Sequence, residues 1–122
     1  MHALVIDDSN IIRKILTAYL GKLGFEVTVA VNGRDGLEQL NQMAKADLVL
    51  VDWNMPETDG ISFIRAVRAD GRYSELPLVM VTTNSELENV SEALAAGATE
   101  YIMKPFTAEM IREKLELLGF QV

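Results

Sequence analysis

The chain of 122 residues contains no cysteine, one histidine, one tryptophan and three prolines. Without thiols there is neither a disulfide framework nor a thiolate zinc site, which fits a reducing, cytoplasmic compartment. Positive charge is scarce as well: 11 Lys and Arg stand against 18 Asp and Glu, giving a net charge of -7 and a pI near 4.6. That surplus repels polyanions, so direct binding to nucleic acid or to an anionic membrane is not expected. Long apolar runs are also missing. No stretch approaches the length that spans a bilayer, and Met1-His2-Ala3 lacks the basic and apolar regions of a secretory signal because Asp7 interrupts the run. What is present is ordinary globular composition, 49% hydrophobic and 24% charged. The length suits a single domain over residues 1–122, able to bury roughly two thirds of its unfolded surface.

Short apolar runs alternate with longer stretches of helical periodicity. Ala3 to Ile6 reads as a strand, and Ile11, Ile12, Ile15, Leu16, Tyr19, Leu20 and Leu23 follow at helix spacing until Gly24 stops the helix. Val27, Val29 and Val31 alternate with Thr28 and Ala30, the pattern of an edge strand with unlike faces. Asn32 is placed to cap a helix carrying Leu37, Leu40 and Met43, and Leu48 to Val51 is continuously apolar, as a strand covered on both faces is. After a turn-rich loop, Ile61, Ile64 and Val67 mark a third helix and Leu78 to Val81 another buried strand. Leu87, Val90 and Leu94 mark a fourth helix ended by Gly97. Tyr101 to Met103 forms a short strand, and Pro105 precedes a last helix with Ile111, Leu115 and Leu118. The repeated strand-helix order predicts an α/β fold, a flavodoxin-like doubly wound parallel sheet of five strands with five helices. Strand order 2-1-3-4-5 puts the alternating strand and the short last strand at the edges.

Three acids end apolar strands: Asp7 and Asp8 after the first, Asp52 after the third. In an open α/β sheet ligands bind outside the carboxyl ends of the strands, so these carboxylates are expected to converge. Asp7-Asp8-Ser9 also suits a helix N-terminus, but Asp52 arrives from another strand and has no capping duty. Hard oxygen donors favour Mg²⁺, or Mn²⁺, over zinc, and Mg²⁺ shares its shell with phosphoryl oxygens. A carboxylate can attack phosphorus once the incoming charge is neutralised. Lys104, at the end of the fifth strand, supplies a compact cation, and Thr82, at the end of the fourth, a hydroxyl donor.

With Asp7-Asp8, Asp52, Thr82 and Lys104-Pro105 each ending a different strand, the chain resembles the receiver domain of two-component response regulators from end to end. Asp52-Trp53-Asn54-Met55-Pro56, Ala69-Asp70-Gly71, Leu76-Pro77, Tyr101 and Lys104-Pro105-Phe106-Thr107 resemble the stand-alone chemotaxis members in particular. The resemblance implies a signalling switch, which catalyses only its own phosphorylation and dephosphorylation. Asp52 would accept a phosphoryl group from a histidine kinase, a phosphotransfer protein or a small phosphodonor. Asp8, Asp52 and the Asn54 carbonyl would bind Mg²⁺, with Asp7 acting through a metal-bound water. Thr82 and Lys104 would hold phosphoryl oxygens, the Lys104-Pro105 peptide would be cis, and Tyr101 would report the Thr82 hydroxyl to a protein target on the face of helix four, strand five and helix five. Reversing a ~1% state to ~99% takes about 5.5 kcal/mol, whereas a charge-assisted bond gives roughly 1.5 to 3, so metal, Lys104 and Thr82 contacts are expected to act jointly on a population already partly shifted.

Other residues read more plainly. Trp53 suits packing or reporting on the site, Met55, Met80, Met103 and Met110 fill gaps, and His2 is a terminal surface residue. Thr83 is a departure, since the family carries a smaller residue there and a branched one narrows access to Asp52. Glu86 and Leu87 stand at the start of helix four where the flagellar-switch binders of the family carry lysines, and with Glu88 and Glu92 beside them an acidic switch peptide is expected to bind weakly. A flavodoxin-type carrier is disfavoured because Asp7-Asp8 repels a flavin phosphate, and an aspartyl phosphatase because Asn54 stands where its second acid belongs. A relay receiver outside chemotaxis stays open, as does a phosphorylation-independent interaction module. With the last helix reaching Val122, a monomer without an output domain is expected.

Overall fold

The computed structural model describes residues 1–53, 55, 59–83 and 90–122, so the expectations placed on Asn54, Glu86, Leu87 and Glu88 lie outside the described residues. Strands β1 (His2–Ile6), β2 (Glu26–Ala30), β3 (Leu48–Asp52), β4 (Leu78–Thr83) and β5 (Glu100–Lys104) alternate with helices α1 (Asn10–Lys22), α2 (Gly33–Gln42), α3 (Gly60–Ala69), α4 (Val90–Ala96) and α5 (Ala108–Leu117). The strands pair in parallel, as the strand-helix alternation predicts, in the order β2-β1-β3-β4-β5 that the resemblance to receiver domains implies. A 3₁₀ turn at Gly71–Tyr73 lies within the segment read as a connector.

The sheet divides the interior into two apolar layers. On one side Leu4, Ile6, Val49, Val51, Leu78 and Met80 pack with Leu40 of α2, Phe63, Ile64 and Val67 of α3, and Ala93 of α4. On the other, Val5, Leu50, Val79, Val81 and Ile102 pack with Leu16 and Leu20 of α1 and Ile111 and Leu115 of α5. Because β1, β3 and β4 are covered on both sides, their sequences need apolar residues at every position rather than at alternate ones. The helix starts are set by short polar side chains: Ser9, Asn32, Asp59 and Thr107 accept backbone N–H bonds from Ile12, Asp35, Ser62 and Met110. Gly24, with φ of 94°, and Gly97, at 122°, end α1 and α4 in the left-handed region that a side chain disfavours.

Four sequence expectations are corrected. Ile11 is 69% exposed, since the buried stripe of α1 runs through Leu16 and Leu20. In α4 the buried residue is Ala93, which faces the layer, and Leu94, the next residue around the helix, is turned outward and 44% exposed. On β2 the buried residue is Ala30 rather than a valine, and Val29 and Val31 are exposed. There α1 presents Arg13, Lys14, Thr17 and Ala18 to the edge strand and leaves an open groove over Val27 and Val29. Of the methionines, Met55 and Met80 are buried gap fillers, but Met103 and Met110 line a groove at the β5 edge.

Candidate functional site

Parallel register carries the strand ends to one side. Ile6 pairs with Val51, so Asp7 and Asp52 finish neighbouring strands, while Thr82 pairs with Met103 and Thr83 with Lys104. Each aspartate is then fixed locally. Asp7 accepts the Ser9 N–H at 2.8 Å on one carboxylate oxygen, and its carbonyl accepts from the Arg13 guanidinium at 2.7 Å. The capping reading of Asp7-Asp8-Ser9 is thus partly met, with Ser9 as the cap and Asp7 supporting it. Gly60 lets α3 start directly beneath Asp52: a Cβ there would stand 2.6 Å from the Asp52 carbonyl oxygen and 3.1 Å from Trp53 Cα.

One carboxylate oxygen from each of Asp7, Asp8 and Asp52 lies within 4.8 Å of the other two. Asp7 and Asp52 are buried and Asp8 faces solvent. Lys104 extends its ammonium into the group, 3.1 Å from Asp52 Oδ1 and 3.5 Å from Asp7 Oδ2. Three carboxylates against one ammonium leave two negative charges uncompensated within a partly buried pocket. Burial, followed by the charge of Asp7, pushes the Asp52 carboxyl up to about 6 against the pull of Lys104. Burial likewise raises Asp7, although the Ser9 N–H and Lys104 oppose it. For Lys104 burial acts downward, but Asp52 and Asp7 outweigh it and the ammonium is held above its ordinary range. The donor set consists of hard oxygens, and its unmet charge is that of one divalent cation, so these residues fit Mg²⁺ or Mn²⁺.

Thr82 is buried at the end of β4, its hydroxyl 3.5 Å from the Thr83 carbonyl. Thr83 lines an apolar cavity of about 420 Å³ with Ile12, Ile15, Tyr19, Lys104, Pro105 and Phe106, beside the acids rather than over them. The Lys104-Pro105 peptide is cis. Trp53 is half-buried against the α3 layer, and Tyr101 is half-buried in β5, in register with Met80. Among the described residues the site therefore gathers Asp7, Asp8, Asp52 and Lys104, with Thr82 on the adjoining strand end. Tyr101 stands apart on the β5 edge. His2 is at the opposite end of the sheet, its ring 2.7 Å from the Thr28 hydroxyl, and is half-buried rather than a free surface residue. Sequence reasoning did not single out Arg13 or Gly60 for the site. The only available signal for Gly60 was its place just after the turn-rich loop, and for Arg13 there was none.

Residues 3–116 match the model of the response regulator receiver domain family. The chain is 42% identical over 119 residues to chemotaxis protein CheY1 of Helicobacter pylori, covering 97% of this chain and 96% of the other. It is 41% identical over 117 residues to chemotaxis protein CheY of Pseudomonas aeruginosa, covering 95% and 94%. The solved structure of chemotaxis response regulator CheY4 of Vibrio cholerae superposes with a TM-score of 0.88 at 36% identity, covering 96% of this chain and 97% of that one.

Proposed function

The chain belongs to the response regulator receiver domain family, and we propose that it is a phosphorylation-activated switch of a chemotaxis or motility pathway, with Asp52 as its phosphoacceptor. The observation that carries this reading is the contact of Lys104 with both Asp52 and Asp7 across three strand ends. A carboxylate beside a fixed ammonium and two more acids is poorly explained by packing, since each buried charge costs stability unless another purpose retains it.

In the proposed reaction an Asp52 carboxylate oxygen forms a bond to phosphorus while the donor's P–N bond to histidine, or P–O bond to an acyl group, breaks. The electron pair of the broken bond leaves with the imidazole or carboxylate. Asp7, Asp8, Asp52 and the Asn54 carbonyl would hold Mg²⁺, which neutralises part of the charge on the transferred group when bound. Lys104 and Thr82 would then hold phosphoryl oxygens, the ammonium as a point charge and the hydroxyl as a donor. A histidine kinase or phosphotransfer protein is the donor class, and Thr83, in the wall of the cavity beside Lys104, would tune its access. Tyr101 would pass the change to a protein target on the α4-β5-α5 face. No helix among the described residues is long and apolar enough to cross a membrane.

Incubation with Mg²⁺ and acetyl phosphate, followed by intact mass and Trp53 fluorescence, tests the reading. One phosphoryl adduct is expected in the wild type and none in Asp52→Asn. An unmodified wild type would leave a phosphorylation-independent interaction module as the better description. Thr82→Ala should still be phosphorylated but lose coupling to Tyr101, and normal signalling by that variant would refute the role given to its hydroxyl.

A further inference from the structure

Lys114 of α5 makes two contacts that meet at Tyr101. Its ammonium lies 4.7 Å from the centre of the Tyr101 ring and 3.2 Å from Glu100 Oε1. That same carboxylate oxygen accepts the backbone N–H of Tyr101 at 2.9 Å. One carboxylate thus orients the peptide that carries the ring and also pins the cation that covers it. The Lys114 and Glu100 side chains are 29% and 27% exposed, sheltered enough for the pair to keep value that an open surface pair loses to solvent and salt. Tyr101 also packs against the layer containing Ala93 of α4 and Met80 of β4. The ring is therefore held between that layer and an ammonium anchored on α5. Beside it lies a groove of about 280 Å³ walled by Met103, Met110, Glu113 and Leu117, which gives the ring room to change position.

We infer that Lys114 and Glu100 are positioning residues for Tyr101: Glu100 fixes the Lys114 ammonium over the ring, and the ring gives up this cation–π contact before it leaves the β5 edge. The inference rests on the reading of Tyr101 as the output residue and adds the restraint that sets its resting position. Loss of a cation–π contact of this kind changes the balance between two ring positions about two- to fivefold. Removing either partner therefore raises the fraction of unphosphorylated protein whose ring has already moved. Neither side chain contacts the acids, so any change in Asp52 phosphorylation would come through the shifted ring population.

The experiment uses the full chain labelled with 3-fluorotyrosine, the signal of Tyr101 being identified among three tyrosines by Tyr101→Phe. Fluorine spectra are recorded with and without Mg²⁺ and acetyl phosphate for the wild type, Lys114→Met, Glu100→Gln and Lys114→Arg. Losing a positive charge and losing a negative charge displace a stationary fluorine in opposite directions by their fields alone, whereas ring movement displaces it in the same direction. The expected result is that Lys114→Met and Glu100→Gln both shift the unphosphorylated signal toward its phosphorylated position and that Lys114→Arg retains the wild-type signal. Opposite displacements in the two variants, or no displacement in either, would overturn the inference even while the wild type still responds to acetyl phosphate. A wild-type signal that ignores phosphorylation would instead sink the output reading of Tyr101, and the unphosphorylated variants would still decide whether Lys114 holds the ring.

Discussion

Strand β3 carries an aspartate at each end, and the two have opposite electrostatics. Asp47, just before the strand, accepts the His2 N–H at 2.8 Å and lies 3.5 Å from the Lys45 ammonium, and the His2 bond first and then Lys45 hold it below the usual carboxylate range despite some burial. Asp52, the last residue of the strand, is raised to about 6 by burial and by Asp7. The same contrast extends along both rims of the sheet. At the amino end Arg68 donates to the carbonyls of Gly97 and Tyr73 and to the Thr99 hydroxyl, which itself accepts the Leu78 N–H. At the carboxyl end three acids cluster and two of them, Asp7 and Asp52, share Lys104. One rim is closed by hydrogen bonds and contributes stability. The other retains negative charge that a bound cation, or protonation of Asp52, offsets, which is the condition for chemistry there.

The largest expected effect separates the two lysines. Lys104→Ala should slow phosphorylation by acetyl phosphate about 10²- to 10³-fold, the range for removing a cationic or hydrogen-bonding stabiliser of developing charge. Lys45→Ala, at the other rim, should leave the rate at the wild-type value. Equal losses from both, measured as the rate of adduct formation by mass, would erase the distinction between the rims.

Next comes Gly60→Ala, which drives a methyl group toward the Asp52 carbonyl backbone and should cost roughly 1–3 kcal/mol in chemical denaturation. Phosphorylation should slow with it. Gly71→Ala, where a Cβ would meet nothing within 4 Å, serves as the counterpart and should keep both properties.

The pH dependence of stability sharpens the contrast further. A carboxyl raised in the folded state binds more protons folded than unfolded between its ordinary pKa of 3.8 and about 6, so metal-free stability falls as pH rises through that window. Asp52→Asn should therefore stabilise the metal-free protein by about 2 kcal/mol at pH 7 and by much less near pH 4. Mg²⁺ should close the difference by stabilising the wild type, and its affinity should drop as pH falls below about 6. Thermal melts across pH with and without Mg²⁺ test this, and a flat difference between wild type and variant would contradict it.

The smallest effect belongs to Asp47→Ala, expected to cost about 0.5–1 kcal/mol through the lost bond to the His2 N–H. Since Asp47 is lowered on folding, its contribution is present above pH 3.8 and disappears as pH falls through its folded value, the reverse of Asp52. Melts of this variant should converge with the wild type in strong acid and remain insensitive to Mg²⁺.

The legibility of the sequence varied with the kind of signal. Short continuous apolar runs at Leu48 to Val51 and Leu78 to Val81, alternating with helical stretches, read as strands covered on both faces, and Asp52 after the first marks the ligand edge. The side chain buried by α4 was not legible, because Leu94 is the more apolar candidate and the face of the helix turned to the layer is set by tertiary packing. Gly60 and Arg13 were silent for the same reason: their value lies in a Cβ left out beneath Asp52 and a guanidinium brought to the Asp7 carbonyl, and periodicity encodes neither. The Lys114 contacts with Glu100 and Tyr101 join a helix to a neighbouring strand edge, again beyond any local pattern.

From the residues alone came the alternation of strands and helices, the parallel pairing that right-handed crossovers favour, and the acids and lysine that end their strands, while the order that gathers Asp7, Asp8, Asp52 and Lys104 at one rim rested partly on the family resemblance. These follow from chain-local properties: the spacing of apolar groups and the residue that ends each run. Tertiary structure decided which faces are buried, how far burial and mutual repulsion lift Asp52, and that Lys104 points at the acids while Lys114 is spent on Glu100 and Tyr101. Those outcomes depend on distances of a few ångströms between segments far apart in the chain, over which Coulomb energy and van der Waals contact change steeply.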